Sequence, residues 1–237
     1  MRLINAASRR PLQWVPRWAL VLAGLLLAGL AAAAPAGVVP AVRPAHAPRA
    51  SHTVLVMGDS LSAGYGLGAT QGWVPLTAQR IAQDKPGWQV VNASISGETT
   101  SGGAARVVGE VVRVRPAVVI IELGANDGLR GLPVRQARHN LAYMIGAAQG
   151  IGAKVLLVGM RMPPNYGPDY TQSFERMYRD LAQQFHTAFV PFLLEPIMRE
   201  QNAFQQDDMH PVARVQPLIR DYVWKALAPM LDETGQP

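Results

Sequence analysis

The sequence has no cysteine. That absence excludes a disulfide scaffold, a thiolate zinc site, an iron–sulfur cluster and a catalytic thiol. Any covalent nucleophile is therefore an oxygen or an amine. Acidic residues are also missing from the first fifty positions, which hold Arg2, Arg9, Arg10, Arg17, Arg43 and Arg49. From Ser51 to Pro237 there are 16 basic and 16 acidic residues, so the formal charge of +6 belongs wholly to the N-terminal stretch. A neutral remainder leaves no electrostatic footprint for nucleic acid. A long membrane-spanning run is lacking too. The apolar stretch Ala19–Ala34 has 16 residues, whereas a span needs about 20.

What the first fifty residues do contain reads as an export leader. A basic segment precedes the apolar run, and small-residue sites follow at Ala34-Pro35-Ala36 and Ala45-His46-Ala47. The expected division is a signal peptide over 1–36, a linker or processed edge over 37–51, and one folded domain over 52–237. The product would be periplasmic or secreted after cleavage, and membrane-anchored only through an uncleaved leader.

From His52 onward, short apolar runs alternate with helical patterns. Strands are expected at Val54–Met57, Gln89–Val91, Ala117–Leu123, Lys154–Met160 and Ala188–Leu193. Helices are expected at Trp73–Gln83, Ala104–Val114, from Pro133 to about Gln149, at Gln172–Phe185 and at Val212–Met230. Apolar runs without polar alternation suit strands covered on both faces. Their alternation with helices gives an α/β fold, a parallel sheet within an αβα sandwich. In such sheets, ligands sit outside the carboxyl ends of the strands.

The residues that follow the strands carry the chemistry. Gly58-Asp59-Ser60 follows the first strand, Ser94-Ile95-Ser96-Gly97 the second and Gly124-Ala125-Asn126-Asp127 the third. Asp207-Asp208-Met209-His210 precedes the last helix. Together they supply a hydroxyl, a glycine amide, a carboxamide, an imidazole and a carboxylate, the inventory of nucleophilic acyl transfer. Ser60 is the candidate nucleophile and His210 its base. Asp207, three residues earlier, is the candidate for orienting the ring. The amides of Ser60 and Gly97 and the Asn126 carboxamide are candidate oxyanion donors. Taken singly, each has a plainer reading as a turn or cap residue. Their ordered placement at strand ends is what points to a serine hydrolase.

Competing motifs fall short. Gly64-Tyr65-Gly66-Leu67-Gly68 lacks the spacing of a dinucleotide loop, no Walker A sequence occurs, and Gly58-x-Ser60-x-Ser62 is not the G-x-S-x-G elbow. His46, His52, His139 and His186 are scattered and lack the clustered carboxylates of a metal site.

The blocks MGDSLSAGYGL, VVNASISGETTSGG, LGANDGLRG, PPNYG and DDMHPVARVQP occur in this order between about Thr53 and Leu231. On them the chain resembles the SGNH hydrolases, or GDSL esterases, in particular the bacterial periplasmic group of acyl-CoA thioesterase I, lysophospholipase and arylesterase. The resemblance implies a flavodoxin-like αβα sandwich with a five-stranded parallel sheet. It also implies hydrolysis of carboxylic esters and thioesters without metal or organic cofactor. Residue by residue it puts the nucleophile on Ser60, the oxyanion donors on Gly97 and Asn126, the base on His210 and the acid on Asp207. The family often has glycine where this chain has Asp208. In the resembling group the loop after the oxyanion asparagine borders an acyl groove. Leu129, Leu132, Met160, Met162, Pro163, Pro164 and Tyr166 are accordingly expected to line an apolar channel. The expected partner is a small acyl ester or thioester met by a monomer. A carbohydrate O-deacetylase, a non-catalytic binding module and a flavodoxin-like cofactor binder on the same fold stay open as alternatives.

Overall fold

The computed structural model describes residues 52–232. The expected leader (1–36) and linker (37–51) lie outside the described residues. Five strands are present among the described residues: β1 (His52–Gly58), β2 (Trp88–Asn92), β3 (Val118–Glu122), β4 (Lys154–Val158) and β5 (Ala188–Val190). They form one sheet in the order β2-β1-β3-β4-β5, every pairing parallel. The α/β expectation and the five-stranded parallel sheet are both borne out.

The strand burial follows the sequence pattern. All five residues of β3 are buried, and β1 is buried from Thr53 to Gly58, as apolar runs without alternation require. β2 lies at an edge and is only half-buried. β5 stops at Val190, short of the expected Leu193, because Pro191 has no N–H to give to a ladder.

Among the described residues seven α-helices accompany the strands: α1 (Ser60–Ala63), α2 (Trp73–Asp84), α3 (Thr100–Val114), α4 (Ala125–Leu129), α5 (Val134–Gln149), α6 (Pro168–Phe185) and, after the last strand, α7 (Gln216–Asp232). Their contacts group into two layers, α2 with α7 and α3 with α5 and α6. α1 and α4 have four and five residues, too short for periodicity to reveal. Pro133 caps α5 instead of occupying its first turn.

The strand order reverses direction between β1 and β3. A crevice opens at this switch point, at the carboxyl ends of the two central strands. The register sets Gly58 beside Glu122, so the segments carrying Ser60 and Asn126 leave the sheet side by side. Gly58 admits no side chain. A Cβ there would sit 2.6 Å from Ser62 Cβ and 2.9 Å from Glu122 Oε2.

Candidate active site

β1 runs straight into the site. Asp59 caps α1, its Oδ1 accepting the Leu61 N–H at 3.0 Å, and so puts Ser60 at the first helical position. Ser60 Oγ lies 2.7 Å from His210 Nε2. The other ring nitrogen, Nδ1, lies 2.6 Å from Asp207 Oδ2. Residues 150 positions apart are thus brought into one hydrogen-bonded line.

The imidazole stands on a loop tied like a hairpin. Val212 N–H donates to Ala203 O, and Gln205 N–H donates to His210 O, both at 2.8 Å. Asp207 Oδ1 accepts from the N–H groups of Met209 and His210, each at 3.0 Å. These backbone donors, with the His210 side chain, hold the Asp207 carboxyl down at about 2. It is a carboxylate throughout the neutral range. Asp208, where the resembling family often has glycine, has φ +56°. This left-handed position favours glycine, and Asp is among the few other residues that enter it at low cost. The hydrogen bond to the imidazole comes from Asp207, at the i, i+3 spacing.

Asn126 sits in α4, just past the carboxyl end of β3. Gly124, with φ +124°, makes the turn into α4, and a Cβ there would overlap the Tyr178 hydroxyl. That hydroxyl donates to Leu123 O at 2.9 Å. Asn126 Nδ2 donates to Asp59 Oδ2 at 3.2 Å and to Glu98 O at 3.0 Å. Both of its amide hydrogens are therefore engaged, a point the sequence does not disclose. Gly97 has φ +80° and open space where a side chain would be. Its N–H meets no acceptor among the described residues, and its carbonyl accepts from Arg130 at 3.2 Å. The neighbouring Glu98 is clamped by Arg106, with Nε to Oε1 at 2.7 Å, which fixes the Gly97 loop.

Beneath these groups lie two buried carboxyls. Burial pushes Asp59 up to about 6, against the pull of the Leu61 N–H, His210 and Asn126. Burial and then the nearby Asp59 push Glu122 well above the usual carboxylate range, although Ser62 Oγ donates to it at 2.6 Å. A carboxyl raised in the folded state binds its proton more tightly there than in the unfolded chain. Its contribution to stability is complete below the unfolded value and is lost as pH rises through the folded one. Wild-type melting temperature is thus expected to fall as pH climbs through 6 and beyond. Glu122→Gln is expected to flatten that fall in thermal melts from pH 5 to 9. Parallel curves for the two proteins would contradict a protonated buried carboxyl at Glu122.

A groove of about 640 Å³ opens beside Ser60 and His210, with walls that include Leu129, Met160, Met162, Pro164, Phe192 and Phe204. Of the residues expected to line it, Leu132 and Tyr166 do not. The Tyr166 hydroxyl turns away to donate to Leu129 O at 2.8 Å, and Leu132 O accepts from Tyr170 at 2.9 Å. Both residues brace the loop behind the groove wall. Phe192, Phe204, Met198 and Met209 also line the walls, which the sequence does not disclose. They come from the segment between β5 and α7, whose path no periodicity reveals.

The GDSL-like Lipase/Acylhydrolase family matches residues 56–216. The chain is similar to the esterase TesA of Pseudomonas aeruginosa, 48% identical over 182 residues that cover 77% of this chain and 90% of that one. It is similar to the thioesterase 1/protease 1/lysophospholipase L1 of Escherichia coli, 38% identical over 187 residues, 77% of this chain and 86% of that one. The crystal structure of the psychrotrophic esterase EstA from Pseudoalteromonas sp., inhibited by monoethylphosphonate, matches with a TM-score of 0.73 at 36% identity, covering 77% of this chain and 100% of that one. With the parallel sheet, the switch-point crevice and these matches together, the chain belongs to the GDSL-like lipase/acylhydrolase family, the SGNH hydrolases, and is an ester hydrolase.

Proposed function

We propose that this protein hydrolyses carboxylic esters and thioesters through an acyl-enzyme on Ser60. The observation that carries the reading is the unbroken line from Ser60 Oγ to His210 Nε2 and from Nδ1 to Asp207. In this reading Nδ1–H donates to Asp207, which leaves Nε2 free to accept the serine proton. Ser60 Oγ attacks the acyl carbon as His210 takes its proton. The Ser60 and Gly97 amides, with Asn126, stabilise the oxyanion. Asn126 then shares one of its two engaged hydrogens with the new acceptor. The imidazolium gives its proton to the leaving alkoxide or thiolate. Water next attacks the acyl-enzyme with His210 again as base, and the acid is released with Ser60 restored. Every step draws on protein groups, and no metal or organic cofactor is needed.

The groove supports acyl chains longer than acetyl. Its volume falls within the range of about 300–1,000 Å³ common for ligand pockets. Its walls are mostly apolar, and each buried methylene is worth up to about 0.8 kcal/mol, or roughly fourfold in kcat/KM. On a series of aryl esters and acyl thioesters from two to sixteen carbons, kcat/KM is expected to climb over the first several methylenes. Activity confined to acetyl esters, such as release of acetate from acetylated xylan alone, would favour the deacetylase reading. No turnover of any ester would favour a binding module.

We propose further that the protein works outside the cytoplasm. The leader over 1–36 directs export, and the domain over 52–237 acts as a monomer on small esters outside the cytoplasm. Among the described residues no helix is long and apolar enough to cross a membrane.

A further inference from the structure

Tyr65 belongs to the loop that closes α1, yet it reaches the base. Its ring centroid lies 4.6 Å from that of His210, tilted by 41°. Its backbone connects the two halves of the site. The Tyr65 N–H donates to Ser60 O at 3.1 Å, and the Tyr65 carbonyl accepts from Gln205 Nε2 at 2.9 Å. Gln205 in turn donates its backbone N–H to His210 O at 2.8 Å and its side chain also reaches Pro211 O at 3.3 Å. A continuous path therefore runs from the Ser60 peptide through Tyr65 and Gln205 to the His210 peptide, while the ring lies against the imidazole. Local geometry is shaped to admit it. Gly64 and Gly66 both have positive φ, at +77° and +72°, and a Cβ on Gly66 would overlap the Gln205 carboxamide oxygen.

Tyr65 is an unusual residue to leave outside. It is 54% exposed and adds little to the core. It is not part of the groove wall. Neither stability nor acyl binding explains a large ring held there by a clamped backbone.

We propose that Tyr65 and Gln205 form a positioning clamp for the base: Gln205 pins the His210 loop to the nucleophile turn, and the Tyr65 ring holds the imidazole over Ser60 and attracts the positive charge that develops on it as the proton is transferred. The inference rests on His210 being the base. A cation over an aromatic face gains attraction from the ring quadrupole, and the imidazolium exists only while the proton is in transit. Such an interaction strengthens in the transition state and lowers the barrier without tightening substrate binding.

The test is a kinetic split with a spectroscopic readout. Tyr65→Leu, which keeps bulk but removes the ring, is expected to lower kcat about five- to tenfold with KM unchanged. Tyr65→Phe is expected to retain wild-type kcat. Gln205→Leu is expected to lose kcat similarly, and the double variant to be little worse than either single one. In proton NMR, ring-current shifts on the His210 ring protons are expected in wild type and Tyr65→Phe, and their loss in Tyr65→Leu. Wild-type kcat in Tyr65→Leu, a loss confined to KM, failure of the Phe variant to retain activity, or full additivity would each overturn the clamp. His210→Ala separates this from the wider reading. If that variant stays active, the base assignment fails. If it is dead while Tyr65→Leu is unimpaired, only the clamp fails.

Discussion

Ser60→Ala is expected to lower kcat by a factor on the order of 10⁶, with KM little changed. The reason is the division of labour in the site. Ser60 makes and breaks the covalent bond, while the groove that holds the acyl chain is built from other residues. His210→Ala should cost nearly as much, since a serine hydroxyl without a base is a poor nucleophile at neutral pH. The double variant should be no worse than either single one, because the pair joined at 2.7 Å acts as a unit. Residual turnover from the oxyanion donors alone should remain. Steady-state kinetics on one aryl ester decides the matter, and losses that multiply in the double variant would show two independent contributions.

Asn126→Ala is expected to lower kcat about 10²- to 10³-fold, again with little effect on KM. An oxyanion donor acts only as charge develops, so its loss falls on the chemical step. The size of the effect has a structural qualification in the resting state. Both Nδ2 hydrogens already have acceptors, Asp59 Oδ2 and Glu98 O, so part of the donor's value is offset by the bond it must share. Removing the carboxamide also strips a partner from the buried Asp59 carboxyl. The kcat loss should therefore be accompanied by lower thermal stability. A variant with full stability and a wild-type kcat would show that Gly97 and Ser60 suffice.

Much of this architecture is legible in the sequence because the strands are monotonous. β3 is an apolar run, and the residues after it fall where ligands bind in any such sheet. Ser60, Gly97 and Asn126 are legible as candidates for that reason, and His210 from its place before the last helix. Asp207 is legible from its spacing to His210 alone. Glu122 passes unmarked at the end of an apolar run, because nothing local says that Ser62 faces it or that Asp59 shares its burial. Tyr65 and Gln205 are hidden for a stronger reason. Their roles depend on two loops meeting across 140 positions of chain, and neither loop has a period. The groove walls fail for the same cause. The resemblance marks Tyr166 as a channel residue, but its hydroxyl needs an acceptor and finds Leu129 O behind the wall. Asp208 shows the reverse case, a departure from the family pattern that the backbone tolerates at φ +56°.

The central claim is that the acyl group is carried on Ser60. Intact-mass and peptide mass spectrometry after treatment with an aryl alkylphosphonate ester addresses it directly, since such a reagent leaves a stable adduct on an activated serine. One phosphonyl group is predicted on the peptide containing Ser60, formed in step with the loss of esterase activity and greatly slowed in His210→Ala. Complete inactivation with Ser60 unmodified, or the adduct on another residue, would contradict it.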